Sequence, residues 1–217
     1  IDAIVNDIVN DRLNVLEKTT FVLTQIFRTL DMGEIEALTK SMAQTGEIID
    51  FGQETVYDKH STGGVPGNKV TLLIVPIVAS AGLLIPKTSS RAITSPSGTA
   101  DTMESLGCEV SFTADEIVEI STKTRGIIAW GGALNLASVD DILISDVEYP
   151  LGINPTSMML ASIMSKKVAS GIHFLVMDLP TGKGTKIATQ EEALALGREF
   201  AELGRRLGIQ VESGVTY

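Results

Sequence analysis

From Glu54 onward one grammar repeats: a short run of β-branched or apolar residues, a loop of Gly, Ser, Thr and Lys, then a stretch suited to a helix. A strand at Val56-Tyr57 leads through a first loop, Asp58 to Lys69, into the apolar run Val70 to Ala81, which reads as a buried helix. A strand at Leu83 to Ile85 leads through a second loop, Pro86 to Gly98, into a helix from Thr99 to Leu106. Glu109 to Phe112 reads as a further strand, Thr113 with Glu116 as a capping box for a helix to about Arg125, and Ile127 to Trp130 as the next strand. Phe174 to Leu179 is a continuous apolar run, as expected of a buried parallel strand. Thr181 to Lys186 is a third Gly/Lys turn, Thr189 with Glu192 caps a helix to Leu207, and a last strand begins at Gln210. Such alternation predicts an α/β fold with a largely parallel sheet covered by helices. Ligands of such sheets bind beyond the carboxyl ends of the strands, where these loops lie.

Ahead of this pattern the chain reads as helical. Ile4, Val5, Ile8, Val9, Leu13 and Leu16 fit one helical face, Thr20 to Leu30 a second helix, and Asp31 with Glu34 caps a third that ends before Gly46. These apolar faces suit either core packing or a partner subunit. Gly131 to Pro150 reads as irregular, and Asn154-Pro155 starts a helix to Ser170 whose Met158, Met159, Leu160, Ile163 and Met164 are core. The chain stops at Tyr217 within a strand pattern, so a longer protein is expected.

Hydrophobic residues are 44% of the 217 and charged residues 20%, enough for a packed core. The net charge of −10 argues against nucleic acid as a partner. It does not exclude a small anion, because charges are screened beyond about 8 Å at physiological salt and local Lys and Arg decide. Cys108 is the single cysteine, which fits a reducing, cytoplasmic setting. No apolar run reaches the roughly 18 residues of a membrane span, so no membrane association is expected.

The first loop, Asp58-Lys59-His60-Ser61-Thr62-Gly63-Gly64-Val65-Pro66-Gly67-Asn68-Lys69, reads as a phosphate cradle. Its glycines can take positive φ and bring backbone N–H groups close to an anion. Lys59 supplies a point charge, and Ser61 and Thr62 supply hydroxyl donors. A helix starting near Asn68 would aim its positive end at the same spot. The second loop sets Ser89, Ser90, Arg91, Thr94, Ser95 and Thr99 just before a helix start, a set of donors suited to a phosphate or sugar. The plain alternatives are a solvated glycine turn and a Ser-rich linker. Lys59, His60 and two hydroxyls packed into the first loop, and Arg91 with an abrupt helix start in the second, argue against them.

Asp58-Lys59-His60-Ser61-Thr62-Gly63-Gly64 and Ser89-Ser90-Arg91 through Gly98-Thr99-Ala100-Asp101 resemble the thymidine/pyrimidine-nucleoside phosphorylase family. Val65-Pro66-Gly67-Asn68, Lys87 through Ser95 and Trp130-Gly131-Gly132-Ala133-Leu134-Asn135-Leu136 are more similar to its archaeal AMP phosphorylase branch. The resemblance runs over the whole chain. It implies a helical dimerisation domain built from residues 1–51 and 138–170, an α/β phosphate-binding domain from 52–137 and 171–217, a cleft between them, and a homodimer or higher homo-oligomer. The α/β part would be incomplete, because family members carry a further C-terminal portion.

The implied reaction is phosphorolysis of an N-glycosidic bond, with inorganic phosphate as a substrate and no cofactor or metal. By the family pattern Lys59, Ser61, Gly64, Ser89, Ser90, Arg91, Ala92, Ile93, Thr94, Ser95 and Thr99 line the phosphate or nucleotide, with Thr71 a weaker candidate. His60 sits beside the base and is able to donate a proton. Ser162 and Lys166, one helical turn apart, match base-binding positions. Lys186 and Arg91 are candidates for a 5′-phosphate, Lys186 being otherwise a solvated loop lysine. Two departures matter. Pyrimidine-specific members carry an Arg where Ala137 aligns, which favours a nucleotide such as AMP. The AMP branch carries an Asp where Asn154 stands, so the proton donor becomes His60, Asp140 or Asp141, or the substrate differs. The other readings are a thymidine or pyrimidine-nucleoside phosphorylase, an anthranilate-type phosphoribosyltransferase, which needs an acidic Mg²⁺ pair, and a non-catalytic nucleotide-binding module.

Overall fold

The computed structural model describes residues 1–63, 65, 69–92 and 97–217. The expectations placed on Gly64, Ile93, Thr94 and Ser95, and on a helix start near Asn68, lie outside the described residues. Helices α1 (Asp2–Val9), α2 (Val15–Phe27) and α3 (Met32–Ala43) come first. They are followed by β1 (Tyr57–Ser61), α4 (Val70–Ser80), β2 (Ile85–Ser89), α5 (Thr99–Ser105), α6 (Ala114–Thr124) and β3 (Gly126–Trp130). A 3₁₀ turn at Gly131–Ala133 leads to α7 (Ser138–Leu143), a π-helical turn (Ile144–Glu148), α8 (Tyr149–Leu151) and α9 (Thr156–Ala169). Last come β4 (Phe174–Pro180), α10 (Gln190–Leu207) and β5 (Gln210–Thr216).

The chain divides into two compact units, one of Ile1–Ile48 with Asn135–Ser170, the other of Ile49–Leu134 with Gly171–Tyr217. The first unit carries helices. Its core joins Val5 and Ile8, Val22, Leu38 and Met42, Val139 and Leu143, and Met158 and Ala161. The helix read across Ile1 to Leu16 is in fact broken after Val9. Asn10 turns its side chain back onto the Asn6 carbonyl (2.7 Å), Asp11 takes φ 53°, and Asn14 caps α2 in a reciprocal bond with Glu17. The stretch from Gly131 to Pro150, read as irregular, is largely helical turns. Val139, Leu143 and Val147 recur every fourth residue and are all buried. Pro150 sits in the first turn of α8, where its missing N–H has no intrahelical partner to lose.

In the second unit β1, β4 and β5 form a parallel sheet in the order β1-β4-β5, and β2 pairs parallel with β3. An isolated parallel bridge, Val56 to Leu84, joins the two sheets, so all the strands run the same way. Both loop-bearing strands begin later than their apolar residues suggested, and Asp58 to Ser61 and Pro86 to Ser89 are strand rather than loop. No strand forms at Glu109 to Phe112. The Glu109 carboxylate accepts from the amides of Val110 (3.0 Å) and Ser111 (2.9 Å) and diverts them from a ladder. β4 is not buried on both faces: Leu175, Met177 and Leu179 are buried, while Phe174 is 37% and Val176 53% exposed. Tyr57 stacks on Phe174 across that open face, with ring centroids 5.1 Å apart. α4 likewise buries only one flank, Thr71 and Val75, and leaves Leu73 and Ile77 exposed.

α10 covers the buried face of β4 and β5. Ala193, Leu196, Gly197, Phe200, Leu203 and Gly204 repeat at helical spacing and are its buried residues. Gly204 lets the helix approach β5 closely: a Cβ there would lie 2.3 Å from Val211 Cγ2 and 2.7 Å from the Ile209 carbonyl oxygen. Gly204→Ala is therefore expected to destabilise the protein by about 1–3 kcal/mol, as overpacking does. A denaturation midpoint equal to that of the unsubstituted chain would refute this close fit.

Candidate active site

The carboxyl edge of the sheet gathers the polar residues of the α/β unit. Ser61 ends β1 opposite Asp178 of β4, and Ser89 ends β2 opposite Trp130 of β3. Ser61 and Ser89 lie equally far along their strands from the Val56–Leu84 bridge, so they stand at one level of the sheet.

Lys59 is the charged centre of this edge. Strand alternation sets it on the same face as Ser61 and Asp178. It is buried, with Nζ 3.5 Å from Asp178 Oδ2. Burial pushes its ammonium down, and Asp178 and more weakly Asp58 pull it back, leaving it below the ordinary lysine value. Burial alone would raise the Asp178 carboxyl. Hydrogen bonds from Thr216 (2.7 Å) and Ser61, with the charge of Lys59, outweigh that and hold it below the usual range. Asp58 accepts from the Lys59 amide (2.7 Å) and lies 3.6 Å from Nζ of the buried Lys87, which also donates to the Thr88 carbonyl. An ammonium has three donors, and Asp178 faces Lys59 from the neighbouring strand. Following Ser61 in the chain, Thr62 has a buried hydroxyl with no hydrogen-bond partner among the described residues. His60, half-buried opposite Met177, alternates to the face away from Lys59 and Ser61, so β1 does not bring His60 and Lys59 to one face.

Beyond β2, Arg91 lies 3.8 Å over the Trp130 ring and its Nη2 is 2.5 Å from Glu104 Oε1. Asp101 Oδ2 accepts from both the Ala92 amide (2.7 Å) and the Gly98 amide (2.8 Å), so one oxygen ties the two ends of the second loop. The Ala92 amide is thereby committed to Asp101. Gly98 is required: a Cβ there would lie 2.1 Å from the Ser90 carbonyl oxygen. Ser90 is exposed, the Ser89 hydroxyl reaches the Ala129 carbonyl (3.3 Å), and Thr99 opens α5, half-buried. Thr71 is buried in α4. Lys186 is exposed in the loop after β4, where the Thr185 hydroxyl spans the Gly182 and Ile187 carbonyls. A surface depression of about 560 Å³ lined by Glu54, Tyr57, Leu83 and Arg125 lies at the opposite, amino ends of the strands.

In the helical unit, Ser162 and Lys166 of α9 converge on Asp140 of α7. Ser162 Oγ is 2.8 Å and Lys166 Nζ 2.5 Å from the same oxygen, Oδ2. Burial pushes the Lys166 ammonium down, but Asp140, with Asp141 and Glu148, raises it above the ordinary value. Partial burial raises the Asp141 carboxyl, reinforced by Asp140 and opposed by Lys166. Asn154 is exposed in the turn before Pro155, and α9 begins with no side-chain cap.

The sequence reading missed Asp178, Lys87, Asp101 and Trp130 as parts of this arrangement. A signal existed for Asp178, a lone acid inside the apolar run Leu175 to Leu179. Among the described residues no group of His, Cys, Asp and Glu is placed to hold a metal ion. No helix among them is long and apolar enough to cross a membrane.

Residues 53–205 match the model of the glycosyl transferase family, a/b domain. The chain belongs to this family. Over all 217 residues it is 55% identical to AMP phosphorylase 1 of Archaeoglobus fulgidus and 55% identical to the AMP phosphorylase of Thermococcus kodakarensis. It spans 43% of the length of each. These relatives carry the name that the loop motifs suggested. In fold it resembles the anthranilate phosphoribosyltransferase of Thermus thermophilus, with a TM-score of 0.75 at 17% identity over 98% of this chain and 60% of that one. The yeast enzyme gives 0.70 at 18% identity over 93% and 52%. These two likenesses establish a shared α/β architecture.

Lys59 titrates below its unfolded value of about 10.4, so between the two values the unfolded chain binds more protons and stability rises with pH. Asp178→Asn removes the partner that raises Lys59. The expected result is a still lower Lys59 titration, followed by NMR of its side chain, and a pH window that extends downward. An unmoved titration would show that Asp178 does not hold Lys59.

Proposed function

We propose that the chain is the nucleotide- and phosphate-binding part of a pentosyltransferase. It cleaves an AMP-like ribonucleoside 5′-monophosphate by phosphorolysis to free base and ribose 1,5-bisphosphate. The observation that carries this reading is the buried Lys59 at the carboxyl edge, with Ser61 and Ser89 at one level beside it. Identity of 55% along the whole chain to proteins named AMP phosphorylase supports the substrate class.

In this reading Lys59, Ser61, Ser89 and Thr99 hold inorganic phosphate. A phosphate oxygen forms a bond to the anomeric carbon as the bond to the base nitrogen breaks, and the electron pair leaves with the base, which takes a proton. Charge at the sugar is positive in the transition state, so the bound phosphate both attacks and stabilises it. Holding the reactants in line supplies roughly 7–11 kcal/mol of barrier reduction. Ser162 and Lys166 hold the base. The Asn154 amide donates hydrogen bonds but is no acid, and Asp140 is committed to Ser162 and Lys166, so the proton comes from Asp141 or, from the other face of β1, His60. Arg91 and Lys186 receive the 5′-phosphate, which in the case of Arg91 displaces Glu104. The reading includes self-association, for which α2 offers the exposed residues Val15, Leu16, Ile26 and Phe27.

The deciding experiment measures base release from AMP, CMP, UMP, adenosine, thymidine and uridine, each with and without phosphate. Release from monophosphates, and only with phosphate present, is the expected result. Release from nucleosides alone would replace the reading with pyrimidine-nucleoside phosphorolysis. Lys59→Ala should lower phosphate-dependent turnover by at least about a hundredfold, the loss of a charged contact in a desolvated site, and leave the circular dichroism spectrum unchanged. Asn154→Asp should raise the rate below neutral pH if that side chain meets the leaving base; an identical pH–rate profile would remove it from the site.

A further inference from the structure

Asp140 is fully buried, yet its carboxylate serves two side chains of another helix through one oxygen. A carboxylate accepts and does not donate. The Ser162 hydroxyl proton is therefore spent on Asp140, and Ser162 Oγ is left with its lone pairs. Lys166 spends one of its three donors on the same oxygen and keeps two. About a third of the Lys166 side chain is exposed (31%), against none of Asp140, so the lysine is the outward group and the aspartate the anchor behind it. The other oxygen, Oδ1, is buried with no hydrogen-bond partner among the described residues. A carboxylate kept only to hold the fold together would be better satisfied.

We propose that Asp140 is a positioning residue that sets the polarity of the base-recognition pair: it makes Ser162 an acceptor and Lys166 a donor, one helical turn apart. Such a pair reads a base edge that offers an N–H donor beside a ring or carbonyl acceptor. Adenine presents this edge through its exocyclic amino group and the adjacent ring nitrogens, and uracil presents one through its N3–H and carbonyls, so the pair fixes how a base is held rather than which base. The inference rests on the phosphorolysis reading and extends it to the way the base is held.

The test compares two ligands that differ by that amino group, AMP and purine riboside 5′-monophosphate. Their dissociation constants are measured by calorimetry for the unsubstituted protein and for Asp140→Asn. The Asn amide can donate to Ser162, which reverses that hydroxyl, and it no longer holds the Lys166 ammonium by charge. The unsubstituted protein is expected to prefer AMP. In the variant AMP should weaken about two- to tenfold more than purine riboside monophosphate, the worth of the neutral hydrogen bond from the amino group to Ser162, so the preference collapses, while any loss at Lys166 is shared by both ligands. Equal weakening of both ligands, as from general loosening, or no weakening of AMP, would overturn the proposal. If Asp140→Asn does not fold, Lys166→Met is compared with Asp140→Asn/Lys166→Met, which carries no unpaired charge at this pair. The AMP preference should survive in the first and vanish in the second, and the same preference in both would overturn the proposal. Binding of AMP without base release would sink phosphorolysis and leave the positioning role to be decided by the ratio. Binding of neither ligand would sink both.

Discussion

A lysine buried in a β-sheet is tolerated only where fixed carboxylates offset the lost hydration. Lys59 meets that condition through Asp178 on the neighbouring strand, and Asp178 is itself held by Thr216 from the strand beyond. One charge thus ties β1, β4 and β5 at the same level. The register of these strands is not free to slip. A shift of one residue would turn Lys59 to the other face and leave two buried charges apart. The polar edge of the sheet exists because this register holds.

Where a rule is local, the sequence was sufficient. Asp31 with Glu34, Thr113 with Glu116 and Thr189 with Glu192 all form reciprocal caps, α10 ends at Leu207 and β5 begins at Gln210, as expected. The strand starts were misplaced because Asp58 to Ser61 and Pro86 to Ser89 are polar residues in a strand. Their strand character comes from pairing with distant segments, which local composition does not record. Glu109 shows the converse. Val110 and Phe112 look like strand residues, but a neighbouring carboxylate takes the amides first.

The candidate site divides in the same way. Lys59, Ser61, Ser89 and Arg91 were visible because each sits in a contiguous motif. Their partners were not. Asp178, Glu104 and Trp130 act through contacts that only the folded chain creates, and Asp140, a candidate proton donor in the sequence, is instead engaged by Ser162 and Lys166 of α9. The alternation that separates His60 from Lys59 was hidden for the same reason as the strand starts.

Trp130 is the single tryptophan in the chain, and its ring lies beneath the Arg91 guanidinium. The indole is therefore the sole source of long-wavelength protein emission, and it sits in contact with a cation whose other partner is a carboxylate. Any molecule that draws Arg91 away from Glu104 alters the field across that ring. The protein carries an intrinsic optical reporter at the end of β3, and a displacement of Arg91 from Glu104 can be followed by its emission without attaching a label.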